Sequence, residues 1–148
     1  QDWSRPIEVG AVLLDLDGNI ADTFESLIFQ VLDERCDGAL AVNNIKPVDL
    51  LDAPTMGVVA ADFTAWLQGR WCSAYNVDFD SVFMERLGVE ARWANCIMKK
   101  AQADLGRRVN LASAAKHYGV EVAGPAHRAL ADARVAAGIA VALKRKSS

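Results

Sequence analysis

The sequence predicts an α/β fold in which a mixed sheet of five strands is flanked by helices. Residues 9–16 form an almost unbroken apolar run, typical of a strand that is buried on both faces. Strand-like apolar runs continue to about residue 45, and helical patterns alternate with short strand candidates after it. With 148 residues and 52% hydrophobic content, the chain fits one domain with a substantial core.

The first three strands are expected to form a meander. A second apolar run covers residues 26–36, and Gly38 permits a turn into a third run over residues 39–45. Pro47 ends this section of the chain, because proline rarely continues a central strand.

The second half of the sequence alternates helices with short strands. Helices are predicted where apolar residues recur at helical spacing beside a capping residue or a glycine, over residues 56–68, 78–87, 111–118 and 129–144. A fourth strand is predicted at residues 71–75. Residues 94–98 suit either a fifth strand or the start of a helix.

Composition indicates which partners and which cellular location to expect. The net charge of -3 argues against a protein that coats polyanions, but it is compatible with an acidic site that binds metal. The three cysteines are far apart and lack metal-binding spacing, which predicts reduced thiols and a cytoplasmic protein. No apolar run approaches the roughly 18 residues of a membrane span, so no membrane partner is expected.

Asp15 and Asp17 follow the first predicted strand. Side chains two residues apart on a strand point to the same side, so both carboxylates could reach one cation. Open α/β sheets bind ligands at the carboxyl ends of their strands. The alternative is that the two residues only solvate the start of a loop.

Two later segments supply more acidic groups and an imidazole. Asp80 lies at the start of a predicted helix, where Asp78 competes for the same role. Asp132 lies in the first turns of the last helix, and His127 precedes that helix. Four carboxylates and one histidine are the groups needed to hold two divalent cations and deprotonate a water.

The same two segments carry a family resemblance. Residues 75–80 match the motif His/Tyr-Asn-x-x-Phe-Asp, and residues 127–133 match His-x-Ala-x-x-Asp-Ala. With these motifs the chain resembles the DEDDh 3′→5′ exonucleases, the superfamily of the proofreading epsilon subunit of bacterial DNA polymerase III, over about residues 9–145. The resemblance implies a ribonuclease-H-like fold and hydrolysis of single-stranded DNA or RNA 3′ ends to nucleoside 5′-monophosphates.

The resemblance also implies roles for individual residues. His127 would be the general base, and two Mg²⁺ or Mn²⁺ ions would be held by Asp15, Asp17, Asp80 and Asp132. Substrate would be bound by Gly18, Asn19, Tyr75 and Asn76, and a terminal base could stack on Tyr75, Trp93 or Phe24. The implied partners are a nucleic-acid 3′ end and a polymerase or other replication protein.

The first motif departs from the family pattern. The family has Asp-x-Glu followed by Thr-Thr-Gly, whereas this chain has Asp15-Leu16-Asp17-Gly18-Asn19. The shorter Asp17 predicts reduced activity, because misplacement of a catalytic group by about 1 Å can cost about 10²-fold in rate.

Two alternatives remain open. Residues 14–23 also resemble the first motif of haloacid-dehalogenase-type phosphatases, with Asp15 as nucleophile and Asp17 as acid/base. That interpretation leaves His127 and Asp132 without a role. The departure at Asp17 favours a third possibility, a catalytically silent domain of the same fold that binds nucleic acid or a protein partner.

Overall fold

The computed structural model describes residues 6–31, 45–122 and 128–146. Within these ranges the chain forms four strands and six helices, which confirms the predicted α/β class. The strands are β1 (Glu8–Leu14), β2 (Ile20–Leu27), β3 (Trp71–Cys72) and β4 (Arg92–Trp93). The helices are α1 (Pro47–Leu51), α2 (Met56–Leu67), α3 (Val77–Leu87), α4 (Ile97–Leu105), α5 (Leu111–Tyr118) and α6 (Ala129–Lys146).

Strands β1 and β2 form an antiparallel hairpin. Their register pairs Glu8 with Leu27 and Leu13 with Asp22, and it shifts at Leu14. The second strand therefore starts at Ile20 and ends at Leu27. Of the strand that was predicted at residues 26–36, residues 28–31 are not in a strand, and residues 32–36 lie outside the described residues. The strand starts at Ile20 because residues 15–19 form a tight turn, which returns the chain directly into β2.

The predicted five-stranded sheet is not seen among the described residues. Their strands form two separate pairs, the hairpin β1–β2 and the short parallel pair β3–β4. The predicted third strand lies almost wholly outside the described residues. Of the two possibilities for residues 94–98, the structure shows the start of a helix. Strand β4 ends at Trp93, and α4 begins at Ile97.

The hairpin lies between two helices. On one face, Val9 packs in a buried cluster with Val59 and Phe63 of α2. On the other face, the main chain at Gly10 approaches the start of α6 so closely that an added Cβ would lie 2.3 Å from the Leu130 nitrogen. A helix on each face makes this region a three-layer α/β/α arrangement.

A second cluster joins the three C-terminal helices. Ala101 of α4, Ala114 of α5 and Ile139 of α6 are fully buried in it, and the small alanine side chains allow the helices to pack closely. Tyr75 packs against this cluster, and its hydroxyl donates to the Val109 carbonyl at 2.5 Å. The segment that leads into α3 is therefore tied to the segment that leads into α5.

The four predicted helices are confirmed. Helix α2 begins after Thr55, whose hydroxyl accepts a hydrogen bond from Val58 N, and α5 begins after Asn110, which accepts one from Ser113 N. Helices α3 and α6 also occupy the predicted segments. In the part of the chain that the structure describes, no helix has the length and apolar character required to cross a membrane.

Candidate catalytic site

Asp15 and Asp17 lie in the turn of the β1–β2 hairpin. One carboxylate oxygen of Asp15, Oδ1, accepts hydrogen bonds from Asp17 N and Asn19 N, both at 2.9 Å. Gly18 has a φ of 86° there, a conformation that glycine adopts without strain. Both aspartates are exposed. Asp15 thus directly follows β1, as predicted, and its carboxylate stabilises the turn.

The hairpin turn is distant from the first turn of α6. Helix α6 runs along β1, with Leu130 beside Gly10 and Val141 beside Gly18. Asp132 lies more than two helical turns before Val141, about 13 Å along the helix axis. The turn that carries Asp15 and Asp17 therefore packs near one end of the β1–α6 contact, whereas Asp132 lies near the other.

Asp80 occupies the first turn of α3. Its backbone N–H donates to the Asn76 carbonyl at 3.1 Å. Burial raises the pKa of Asp80 to about 6. A backbone hydrogen bond to its carboxylate acts in the opposite direction but is the smaller effect. Asp78, two residues earlier in the same turn, is exposed. Of the two acids that compete for the functional role, Asp80 is therefore the desolvated one, and that role stays a prediction.

The predicted substrate-binding residues divide into two groups. Gly18 and Asn19 belong to the hairpin turn. Tyr75 and Asn76 precede α3, where Asn76 is the N-cap residue without a side-chain capping bond. The hydroxyl of Tyr75 is committed to the main chain before α5, and burial is the main cause that raises its pKa. The structure does not bring the two groups together through any described hydrogen bond.

Phe24 and Trp93, the other two aromatic residues that were predicted to stack on a base, lie within strands of the fold. Phe24 stacks on Phe63 with ring centroids 4.9 Å apart and lies 5.8 Å from the ring of Trp66. Trp93 is half-buried in β4. Phe24 therefore belongs to the core between the hairpin and α2.

The predicted metal ligands do not form one cluster. Among the described residues, no three His, Cys, Asp or Glu side chains are arranged so that they could hold a metal ion. The four-carboxylate set that was predicted from the sequence, namely Asp15, Asp17, Asp80 and Asp132, is therefore not assembled there. His127, the predicted general base, lies outside the described residues.

Sequence reasoning missed one charged residue beside α6. The side chain of Glu8 is only 9% exposed, and its carboxylate accepts hydrogen bonds from the Arg128 guanidinium and from Ala129 N at 2.8 Å. The sequence did contain one signal for this pair, because Glu8 stands at the start of an apolar run. A charge that is buried with such a run requires a partner of opposite charge.

The fold is similar to the folds of two solved structures. The chain superposes on a structure of Exonuclease X in complex with 5′ overhanging duplex DNA with a TM-score of 0.74 and 22% identity, covering 95% of this chain and 83% of that one. It superposes on cell-death related nuclease 4 (CRN-4) with a TM-score of 0.74 and 18% identity, covering 97% of this chain and 59% of that one. These likenesses confirm the expected ribonuclease-H-like fold.

Sequence comparison identifies the family. No curated protein shows a significant match to the chain. The family model described as RNase_T, exonuclease, matches residues 2–140. Because this match includes residues 14–23, it overturns the phosphatase interpretation of that segment. The chain therefore belongs to the RNase_T exonuclease family, as its DEDDh-like motifs predicted.

Proposed function

We propose that the protein is a 3′→5′ exonuclease that hydrolyses single-stranded DNA or RNA ends to nucleoside 5′-monophosphates. The observation that carries the proposal is the desolvated carboxyl of Asp80, which lies within the second motif of a chain that belongs to an exonuclease family. A carboxyl with a raised pKa costs stability, and such groups are common where a site binds a cation or transfers a proton. The DNA in the Exonuclease X structure further supports a nucleic-acid substrate.

The proposal includes divalent metal ions, Mg²⁺ or Mn²⁺. Mg²⁺ is commonly bound by one or two carboxylates together with waters and substrate phosphates. We assign Asp80 and Asp132 to this role. The described residues alone do not provide a set of three donors for a metal ion. Such ions, when bound, would stabilise the charge that develops on the phosphate.

The proposal assigns the general base to His127. It directly precedes Arg128 in the chain, and Asp132 follows in the first turn of α6. A histidine titrates near neutral pH and can accept a proton from a water that attacks phosphorus. A cytoplasmic location and a polymerase or other replication partner remain predictions from the sequence.

A catalytically silent domain that binds nucleic acid is the second candidate. The observation that favours it is that the residues assigned to the first motif, Asp15 and Asp17, lie in an exposed turn apart from the other predicted acids. The Asp15 carboxylate accepts two backbone hydrogen bonds in an exposed turn, and the four predicted acids do not cluster. Such a domain would bind a single strand without shortening it.

One assay separates these candidates. The protein is incubated with Mn²⁺ and single-stranded DNA that is labelled at its 5′ end or, in parallel, at its 3′ end. The proposal predicts a stepwise ladder from the 5′ label and immediate release of labelled mononucleotide from the 3′ label. Both should disappear in His127→Ala. Binding of the strand by the wild type without any shortening would instead establish the silent domain.

A further inference from the structure

Glu8 of β1 forms an ion pair with Arg128, the residue that directly precedes α6. Its Oε2 accepts from Arg128 Nη2 at 2.8 Å and from Nε at 3.0 Å, while its Oε1 accepts from Ala129 N at 2.8 Å. The side chain of Arg128 is 32% exposed, so the pair is partly shielded from water. Charge-assisted bonds from two nitrogens on one edge of a guanidinium fix direction as well as distance.

The main chain beside Glu8 restricts the same part of α6. Gly10 lies on the same face of β1, two residues from Glu8. A Cβ at Gly10 would lie 2.3 Å from the Leu130 nitrogen and 2.5 Å from the Ala129 carbonyl carbon. The backbones of β1 and α6 are therefore in direct contact, and a small shift of the helix start would require the strand to move.

The residues that Glu8 holds are connected to the candidate catalytic groups. The carbonyl of Arg128 accepts a hydrogen bond from Asp132 N at 3.0 Å, which makes the first turn of α6 continuous with the ion pair. His127 is covalently joined to Arg128. Hydrogen bonding to the Glu8 carboxylate also raises the pKa of Arg128 above its already high ordinary value, so the guanidinium stays charged.

We propose that Glu8 is a positioning residue for the reaction, which fixes the start of α6 and thereby the location of Asp132. Glu8 would not touch the substrate. The inference rests on the proposed exonuclease function, because it concerns the geometry of the same reaction. If it is correct, loss of Glu8 lowers the rate of bond cleavage much more than it weakens substrate binding.

Three variants separate positioning from general stabilisation. Glu8→Ala removes the hydrogen bonds from Arg128 and from Ala129 N. Glu8→Gln keeps an acceptor for Ala129 N but removes the charge. Asp22→Ala is the matched control, since the Asp22 carboxylate accepts a hydrogen bond from Trp66 Nε1 at 3.0 Å on the opposite face of the same hairpin.

The kinetic readout is kcat against KM for a single-stranded oligonucleotide. We expect Glu8→Ala to lower kcat by about 10²-fold with KM little changed, and Glu8→Gln to restore most of the rate, as follows from the sensitivity of catalysis to displacements near 1 Å. Asp22→Ala should keep the wild-type kcat. A loss of kcat that simply follows the loss of stability in both alanine variants would overturn the proposal.

Amide hydrogen exchange gives a readout that does not depend on activity. Glu8→Ala should speed exchange at Ala129 and Asp132, whereas Asp22→Ala should leave both rates unchanged. Unchanged exchange in Glu8→Ala would overturn the proposal. A wild type that degrades no nucleic acid would refute the proposed function, and the exchange rates would still decide whether Glu8 fixes the start of α6.

Discussion

Replacing Asp80 by asparagine should stabilise the metal-free protein while abolishing its activity. Burial raises the pKa of the Asp80 carboxyl from 3.8 to about 6, so the folded protein disfavours the ionised form. At about 1.4 kcal/mol per pKa unit, ionisation of this group destabilises the folded state by at most about 3 kcal/mol at pH 7. Partial exposure to solvent reduces this to about 1–3 kcal/mol.

The sign of the effect follows from the direction of the shift. Below pH 3.8 the carboxyl is protonated in both the folded and the unfolded state, so it carries no penalty. As pH rises from 3.8 to about 6, the unfolded chain ionises first and the free energy of unfolding falls; above pH 6 the penalty is constant. Asparagine has similar volume and no charge, so Asp80→Asn should match the wild type near pH 3.5 and exceed it at pH 7.

The assay is urea unfolding of both proteins between pH 3.5 and pH 8 in EDTA. Asp78→Asn is the matched control, because Asp78 lies in the same first turn of α3 but is exposed. It should lose about 0.3–1 kcal/mol through the helix dipole and gain nothing at higher pH. The reasoning is refuted if Asp80→Asn is less stable than the wild type at pH 7, or if its difference from the wild type does not depend on pH.

Further predictions concern the hairpin and its contact with α6. Gly10→Ala should destabilise the protein by about 3 kcal/mol or more, because the added Cβ would overlap the main chain of α6. Gly57→Ala, with no atom within 4 Å, should instead stabilise α2 by about 0.5–1 kcal/mol, and equal effects in urea unfolding would contradict the packing argument. Asp15→Ala should cost about 1 kcal/mol, since two turn hydrogen bonds are lost, yet retain nuclease activity. A large loss of activity in a stably folded Asp15→Ala would show that the turn belongs to the site.

The helices could be predicted because their signals are local. Thr55 and Asn110 each precede a helix and accept a hydrogen bond within its first turn, as their residue types suggest. Asp80 became a candidate for a similar reason, because the motif that contains it lies within six consecutive residues. Its desolvation depends on tertiary packing, which no local pattern reports.

The role of the hairpin turn could not be decided from the sequence, because two kinds of site use the same residue types. Aspartate, glycine and asparagine are favoured in tight turns, where a carboxylate can accept hydrogen bonds from its own main chain. The same residues are typical of metal-binding and phosphate-binding loops. At residues 15–19 the chain folds back on itself, and this outcome depended on the pairing of β1 with β2.

Glu8 could not be assigned a role from sequence. Its partner Arg128 is 120 residues away along the chain, so no spacing or periodicity connects them. Only the packing of α6 on β1 brings the two charges together. Long-range pairs of this kind need a tertiary structure before they can be recognised.

The central claim is that Asp80 and Asp132, and not the acids of the hairpin turn, act in hydrolysis. The most direct test compares four single variants, Asp15→Asn, Asp17→Asn, Asp80→Asn and Asp132→Asn, on a 5′-labelled single strand with Mn²⁺. The account predicts that Asp80→Asn and Asp132→Asn lose at least about 10²-fold in rate, whereas the two hairpin variants keep near wild-type rates. Loss of activity in the hairpin variants, with Asp80→Asn still active, would contradict it.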